Sequence, residues 1–138
     1  MVDHVRVARI LRRLSEDVST LEAEARASAT RRADPMWMPG VKYSFVTAVE
    51  AVVDVAHHLC ARQGWAPPED NGHAIQLLAD HHVLDSDLAV ALRKASGFRN
   101  VLVHGYVGVD DTIVEARLDD LDDLREFSRA VAVFVGDR

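Results

Sequence analysis

Three side chains suited to phosphodiester chemistry lie within one eight-residue segment, at Arg99, His104 and Tyr106. Histidine exchanges a proton near neutral pH, which suits general acid–base catalysis on a ribose 2′-hydroxyl or on a leaving oxygen. The fork of donors on arginine fits a phosphate group and the extra charge of its transition state. Neither role requires a metal ion. These residue types also occur as ordinary polar positions on helices, so the elements that carry them decide between the two interpretations.

Arg99 stands where the surrounding pattern predicts an apolar residue. The apolar spacing that passes through Leu92 and Ala95 reaches Arg99 four residues later. An arginine beside a core stripe is costly unless it is paired or opens onto a cleft. Positions five apart on a straight helix differ by about 140°, so Arg99 and His104 would not share a face. They would converge if the helix ended near Gly105, or if two subunits paired across this region.

Three further polar residues are candidates for supporting roles at the site. Asn100 follows it directly and either orients the scissile phosphate or caps helix carbonyls. Glu50 and Asp54 lie four apart, on one face of a predicted apolar helix. They are either hydrogen-bonded polar groups inside a bundle or the carboxylates that pair with Arg99 and hold its guanidinium. We keep both interpretations open for all three residues.

The seven histidines raise the possibility of a metal site, above all His57 and His58 near Cys60, and His81 beside His82. No Cys-x-x-Cys or His-Glu-x-x-His pattern supports a zinc site, and we expect none. Cys60 is expected to be a small buried apolar residue. Three aromatic side chains are candidates for stacking on bases, although core or dimer packing is the favoured interpretation: Trp37, Tyr43 and Trp65.

Apolar periodicity predicts five helices in an all-α bundle that occupies residues 1–138 as a single domain. The predicted helices cover about 2–29, 42–63, 74–82, 86–105 and the segment from about 119 onward. The second is apolar nearly all round, which is typical of a central helix.

Capping residues and helix-ending residues set the predicted boundaries of these helices. Ser86 is predicted as the N-cap of the fourth helix, and Gly105 as its end. Residues 106–118 are predicted to be an irregular connection with some strand character. The segment 32–40 is expected to break the first helix from the second, with its Met and Trp side chains against the core.

Composition narrows the class of protein. The net charge of −6 argues against a protein that coats nucleic acid, although a small phosphate site remains compatible with it. Residues 1–32 carry seven arginines, either as a solvated helix face or as a basic surface for RNA or an acidic partner. A single cysteine, no signal-peptide pattern and no long apolar run predict a cytoplasmic protein.

The segment Arg99 to Tyr106 resembles the R-x4-H-x-Y signature of HepT proteins, a branch of the HEPN superfamily. The segments 49–58 and 75–84 are similar to further parts of these proteins, so the resemblance covers most of the chain. It implies a helical homodimer in which the motifs of two subunits face a shared cleft. It also implies a metal-independent endoribonuclease that serves as the toxin of a toxin–antitoxin pair. Many relatives carry a larger, often acidic residue where this chain has Gly105.

The partner implied by the resemblance is an MNT-type nucleotidyltransferase antitoxin, which uses ATP to place AMP on Tyr106. A bulky anionic adduct there would exclude an RNA phosphate by sterics and by like charge. The leading hypothesis is therefore an RNase toxin with no cofactor of its own. His104 and Arg99 act as catalytic residues, and Tyr106 positions RNA. The alternative is a non-catalytic subunit with the same fold that docks a nucleotidyltransferase.

Overall fold

The computed structural model describes residues 1–105 and 108–136, and within them the chain is all α-helical with no strand. The all-α prediction is therefore confirmed, whereas the predicted number of five helices is wrong. Seven helices are present in the described residues: α1 His4–Ala25, α2 Ala29–Arg32, α3 Trp37–Arg62, α4 Asn71–Asp80, α5 Ser86–His104, α6 Asp111–Arg117 and α7 Asp122–Gly136.

The central element is α3, as its apolar sequence predicts. It packs against α1, α4, α5 and α7, and its side chains are buried over most of its circumference, with Phe45 and Leu59 almost fully enclosed. Alone among the described helices, α3 is long and apolar enough to cross a membrane, but more than half of its most apolar stretch is buried inside this fold. Its composition therefore reflects its place in the core.

The helices around α3 each contribute one apolar stripe to the same core. The buried stripe of α1 contains Val7, Leu14 and Leu21, spaced seven apart. Phe127 and Val131 of α7 are likewise fully buried. The helices thus hold α3 on several sides, and this packing fixes where the polar positions of α3 emerge.

The predicted strand character of residues 106–118 is wrong, because the described part of that segment contains no strand and α6 occupies 111–117. Residues 108–110 are irregular, as predicted. The run from Thr112 to Val114 is β-branched, and such residues are typical of strands. The carboxylate of Asp110 caps the helix by accepting hydrogen bonds from the backbone and hydroxyl of Thr112, at 2.9 and 2.7 Å. Val114 is fully buried. The cap and this burial together outweigh an intrinsic preference that is small per residue.

Four predicted boundaries also differ from the structure. The first helix ends at Ala25, and the separate α2 follows it with Ser28 as its N-cap. Helix α3 begins at Trp37 rather than 42, because a proline within the first turn, here Pro39, needs no hydrogen-bond partner for its nitrogen. The third predicted helix stops at Asp80. The last helix begins at Asp122, not near Asp119.

The boundaries of α5 matter most for function, because α5 carries the Arg/His motif. Asp85, and not the predicted Ser86, is its N-cap, since the Asp85 carboxylate accepts a hydrogen bond of 2.7 Å from the backbone nitrogen of Leu88. At the other end, Gly105 adopts a left-handed conformation with φ of 56°, as expected for a glycine that terminates a helix. His104 is therefore the last helical residue.

Candidate active site

The guanidinium of Arg99 is held against α3. Its Nη2 donates a hydrogen bond of 2.8 Å to Glu50 Oε1, and the Arg99 side chain is only 23% exposed. Position 99 continues the series of core-facing positions on α5. The Arg99 side chain therefore lies at the edge of the core, where it contacts a polar residue of α3. The cost of placing an arginine there is offset by the ion pair with Glu50. This contact is one of the two arrangements that the sequence left open for Glu50.

Asn100 provides a second contact to the same guanidinium. Its Oδ1 accepts a hydrogen bond of 3.1 Å from Arg99 Nη1. This arrangement is neither of the two that the sequence suggested, namely capping helix carbonyls or orienting a phosphate. An arginine has five N–H donors, and the contacts to Glu50 and Asn100 orient its planar fork while leaving donors available for an anion.

Asp54 does not contact Arg99. Its Oδ2 accepts a hydrogen bond of 3.1 Å from Arg13 Nη2 of α1, and both of these side chains are about half exposed. One helical turn separates Asp54 from Glu50 along α3, which moves Asp54 towards α1 and away from α5. Arg13 was not among the expected site residues, and no local sequence signal identifies a partner 41 residues away.

His104 lies at the exposed C-terminal end of α5. Because α5 remains helical from Arg99 to His104, the two side chains leave the helix axis in directions about 140° apart. Arg99 is directed towards α3, so within one chain the helix geometry points His104 to a different face. The end of the helix at Gly105 comes too late to change the direction of His104.

Tyr106, the remaining member of the motif, lies outside the described residues. Its predicted roles in positioning RNA and in accepting AMP therefore stay predictions. Of the predicted site residues, the structure brings together Arg99, Glu50 and Asn100, and it places Asp54 elsewhere.

Three of the four paired histidines have structural partners in the fold. His57 Nε2 is 3.0 Å from Asn71 Oδ1, and His58 Nε2 accepts a hydrogen bond of 3.2 Å from the backbone of Asp3. Burial lowers the pKa of His58, and nearby arginine charges lower it further. The ring of His81 stacks on Trp65 with centroids 4.1 Å apart. Across the described residues, no cluster of three or more His, Cys, Asp or Glu side chains is placed to hold a metal ion.

The other side chains singled out in the sequence divide between core and surface. Cys60 and Trp37 are buried, and burial raises the pKa of the Cys60 thiol. Met36 is exposed, unlike Trp37 beside it, so only part of the predicted Met/Trp cap covers the core. Tyr43 is 70% exposed on α3, which leaves its ring accessible for stacking.

A groove between α4 and α5 adjoins the candidate site and was not anticipated from the sequence. We define this α4–α5 groove by six of the residues that form it: Asp70, Arg93, Lys94, Ser96, Gly97 and Asn100. The signal that would have found it is the spacing of Arg93, Gly97, Asn100 and His104, at intervals of four, three and four residues, which places them along one face of a helix.

Comparison with known proteins adds a family model described as "Ribonuclease HepT-like", which matches residues 7–131. A protein of Archaeoglobus fulgidus named "Putative RNase" is 34% identical over 83% of this chain and 87% of its own length. A second protein of that organism with the same name is 31% identical, over 63% of this chain and 65% of its own length. The "mRNA nuclease HepT" of Shewanella oneidensis is 30% identical, over 56% and 59%. The chain therefore matches less than two thirds of the length of two of these relatives, namely the second Archaeoglobus fulgidus protein and the Shewanella oneidensis nuclease.

Among solved structures, the fold is similar to that of a tri-AMPylated Shewanella oneidensis HEPN toxin in complex with MNT antitoxin. The TM-score is 0.87, and the match covers 96% of this chain and 99% of that one. Sequence identity is 20%, so this likeness concerns the arrangement of helices. The HEPN-like helical fold expected from the sequence is confirmed.

Proposed function

We propose that this chain, which belongs to the ribonuclease HepT-like family, is a metal-independent endoribonuclease. In this proposal it acts in the cytoplasm as the toxin of a type II toxin–antitoxin pair of the HepT/MNT kind. Arg99 and His104 are its catalytic residues, Tyr106 positions RNA, and Glu50 with Asn100 positions Arg99. Asp54, which contacts Arg13 instead, has no part in holding the guanidinium.

The proposed reaction is an internal transfer at phosphorus. His104 accepts the proton of a ribose 2′-hydroxyl, and the 2′-oxygen forms a bond to phosphorus as the bond from phosphorus to the 5′-oxygen breaks. The imidazolium so formed on His104 then gives this proton to the departing 5′-oxygen. The Arg99 guanidinium stabilises the charge that builds up on the phosphate oxygens. The products are a 2′,3′-cyclic phosphate and a 5′-hydroxyl, and the attacking group is part of the RNA.

The observation that carries the proposal is the oriented guanidinium of Arg99. A partly buried arginine whose two terminal nitrogens contact Glu50 and Asn100 is held in position before a substrate arrives. Catalytic groups that need no reorganisation during the reaction stabilise a transition state most effectively. A subunit that only docks a partner has no evident need for an arginine held in this way.

We infer that the working unit is a homodimer, because the geometry of α5 separates Arg99 from His104 within one chain. A two-fold axis near the end of α5 would place Arg99 of one copy near His104 of the other. Two exposed apolar side chains near the C-terminal end of α5, Val101 and Val103, are available for covering by a second copy. Pairing of two subunits is the second of the two ways in which Arg99 and His104 could converge, the first being an end of the helix near Gly105.

The proposed partner is an MNT-type nucleotidyltransferase that uses ATP to modify Tyr106. Support comes from the Shewanella oneidensis toxin of the same fold, which is tri-AMPylated and in complex with an MNT antitoxin. The proposal that this chain is only a docking subunit shares that partner and differs in lacking cleavage. Experiments on RNA with the toxin alone therefore separate the two.

Incubation of the purified protein with total cellular RNA in EDTA tests the proposed activity. We expect cleavage that yields 2′,3′-cyclic phosphate and 5′-hydroxyl ends, because the reaction relies on a histidine and an arginine rather than on a bound metal ion. The His104→Ala variant serves as the control for contaminating nucleases. Absence of cleavage, once mass spectrometry has shown that Tyr106 is unmodified, would favour the docking subunit. Cleavage that requires an added divalent cation would contradict the mechanism.

Replacing Glu50 by Gln tests whether this residue positions Arg99. The amide can still accept a hydrogen bond, but it loses the charge that strengthens the contact. We expect the cleavage rate to fall about tenfold, with little change in thermal unfolding, since losing roughly 1.4 kcal/mol of transition-state stabilisation has that effect. Asp54→Asn is the matched control, because it removes a carboxylate one turn away that contacts Arg13. Equal rates for Glu50→Gln and wild type would rule out the positioning role.

A further inference from the structure

We propose that the α4–α5 groove binds the stretch of single-stranded RNA next to the cleaved bond, with Arg93 and Lys94 contacting its phosphates. This inference rests on the proposed ribonuclease function and deepens it by locating the flanking nucleotide of the substrate. The site would be a binding subsite, separate from the groups that carry out the reaction.

The groove is large enough to hold a nucleotide. Its volume is about 580 Å³, within the range of cavities that hold small molecules or single nucleotides. Gly97 forms part of the floor, and a Cβ atom added there would meet no other atom within 4 Å. Space of this kind beside a helix allows a ribose and its phosphate to approach the α5 backbone closely.

The groove leads to the candidate active site along one face of α5. Arg93, Gly97, Asn100 and His104 follow one another at intervals of four, three and four residues, which aligns them on the same side of a helix. The line spans about 16 Å at 1.5 Å per residue. Asn100 belongs to both regions, because it lines the groove and contacts Arg99. A strand whose scissile phosphate lies near His104 would therefore continue into the groove.

The charges of the groove favour an anion. Arg93 and Lys94 are both exposed cations, and Arg93 donates one hydrogen bond of 3.2 Å, to Gln76 Oε1. Asp70 is the acidic residue of the lining, and its carboxylate is engaged as the N-cap of α4, accepting a bond of 2.7 Å from the backbone of His73. The groove thus has two positive side chains and one carboxylate, so its local charge is positive although the protein has a net charge of −6. Phosphate groups supply the complementary charge.

Ser96 adds a hydroxyl to the lining of the groove, although only 4% of the residue is exposed. A hydroxyl both donates and accepts hydrogen bonds, so it can pair with a ribose hydroxyl or a phosphate oxygen. Together with the two cations, it favours RNA as the occupant of the groove.

The first test replaces Arg93 by Glu and measures cleavage of single-stranded oligoribonucleotides of increasing length. For long oligonucleotides we expect KM to rise about tenfold, as for the loss of one charge-assisted contact. We expect kcat to change less than twofold, because the contact is equally strong in the ground state and the transition state. The shortest substrates do not reach the groove and should be cleaved as by wild type. Arg129→Glu is the matched control, with the same charge change at an exposed position of α7.

The second test fills the groove without changing its charge. Gly97→Leu should raise KM for long oligonucleotides about tenfold, because the new side chain occupies the space over the α5 backbone. Gly97→Ala is its control, since its methyl group meets no neighbour and alanine favours the helix. Thermal unfolding and size-exclusion chromatography of each variant show whether the fold and the oligomeric state are retained.

Binding of a fluorescent oligoribonucleotide to the uncleaving His104→Ala protein separates this inference from the proposed function. Arg93→Glu should weaken binding, and the dependence of the binding constant on salt concentration should fall by the amount expected for about one phosphate contact. This result would support the groove as the RNA site even if the wild-type protein cleaved no RNA. Normal cleavage and unchanged KM in both groove variants would overturn the groove and leave the ribonuclease intact. A shift of Gly97→Leu to a different oligomeric state would identify the groove as a subunit interface and would also overturn the inference.

Discussion

Replacing His104 by Ala should lower the rate of RNA cleavage at least a hundredfold. Loss of a general acid–base group typically costs that much or more. Arg99→Ala should lower it by about a hundredfold to a thousandfold, the usual effect of removing a donor that stabilises transition-state charge. Growth arrest on expression should disappear with both changes. Circular dichroism should show wild-type helix content, since His104 is exposed and Glu50, the partner of Arg99, is 43% exposed.

Two exposed residues provide controls for this prediction. His4→Ala removes a histidine from the first turn of α1, and Arg129→Ala removes an arginine from α7. Both variants should cleave RNA at the wild-type rate. Wild-type toxicity in the His104→Ala and Arg99→Ala proteins would exclude this mechanism.

Mixing the two inactive variants should restore part of the activity. In a dimer whose sites combine Arg99 of one copy with His104 of the other, a mixed dimer contains one complete pair and one empty pair. Random reassortment makes half of the dimers mixed, so about a quarter of the wild-type rate should return. Activity should be measured after co-refolding equal amounts of both proteins. No recovery, with mixed dimers demonstrated by native mass spectrometry, would mean that each chain supplies its own Arg99 and His104.

Incubation with an MNT-type nucleotidyltransferase and ATP should abolish cleavage. Each transferred AMP adds a bulky negative group at Tyr106, which repels the RNA phosphate and blocks its approach. Intact-protein mass spectrometry should show the added AMP, and RNA cleavage measured on the same sample should fall in proportion to the modified fraction.

Tyr106→Phe is the decisive variant for this regulation. It lacks the hydroxyl that accepts AMP, so it should gain no mass and should keep its activity in the presence of the transferase and ATP. Tyr43→Phe is the control, because Tyr43 is the other tyrosine of the chain and is exposed on α3. Modification of the Tyr106→Phe protein, or full cleavage by the modified wild type, would contradict the proposal.

Periodic apolar spacing explains why the long helices were predictable. The stripe of α1, the enclosed sequence of α3 and the stripe of α7 are local patterns, and burial of each stripe follows from the hydrophobic effect alone. The two short helices lacked such a pattern. α2 and α6 depend on the caps Ser28 and Asp110 and, for α6, on one buried valine, Val114. Helices of this length are marginal without tertiary support.

The chemistry of the site was accessible from sequence because its unusual feature is also local. Arg99 interrupts the apolar line of α5, and His104 follows five residues later at the helix end. Those positions identified a polar centre and predicted the divergence of the two side chains. The acidic pair on α3, Glu50 and Asp54, offered two possible supports for Arg99. The spacing of Glu50 and Asp54 on one face of α3 did not distinguish between them as partners of the arginine.

The sequence by itself thus determined an all-helical protein, the helix that carries the reactive residues and their directions around its axis, because these properties depend on residues within a few turns of one another. Only the tertiary structure decided that Glu50 contacts Arg99, that Asp54 contacts Arg13, and that a groove lies between α4 and α5. These contacts join residues tens of positions apart. Such contacts depend on the angle and offset at which the helices pack. The fit of many side chains in the core determines that angle and offset.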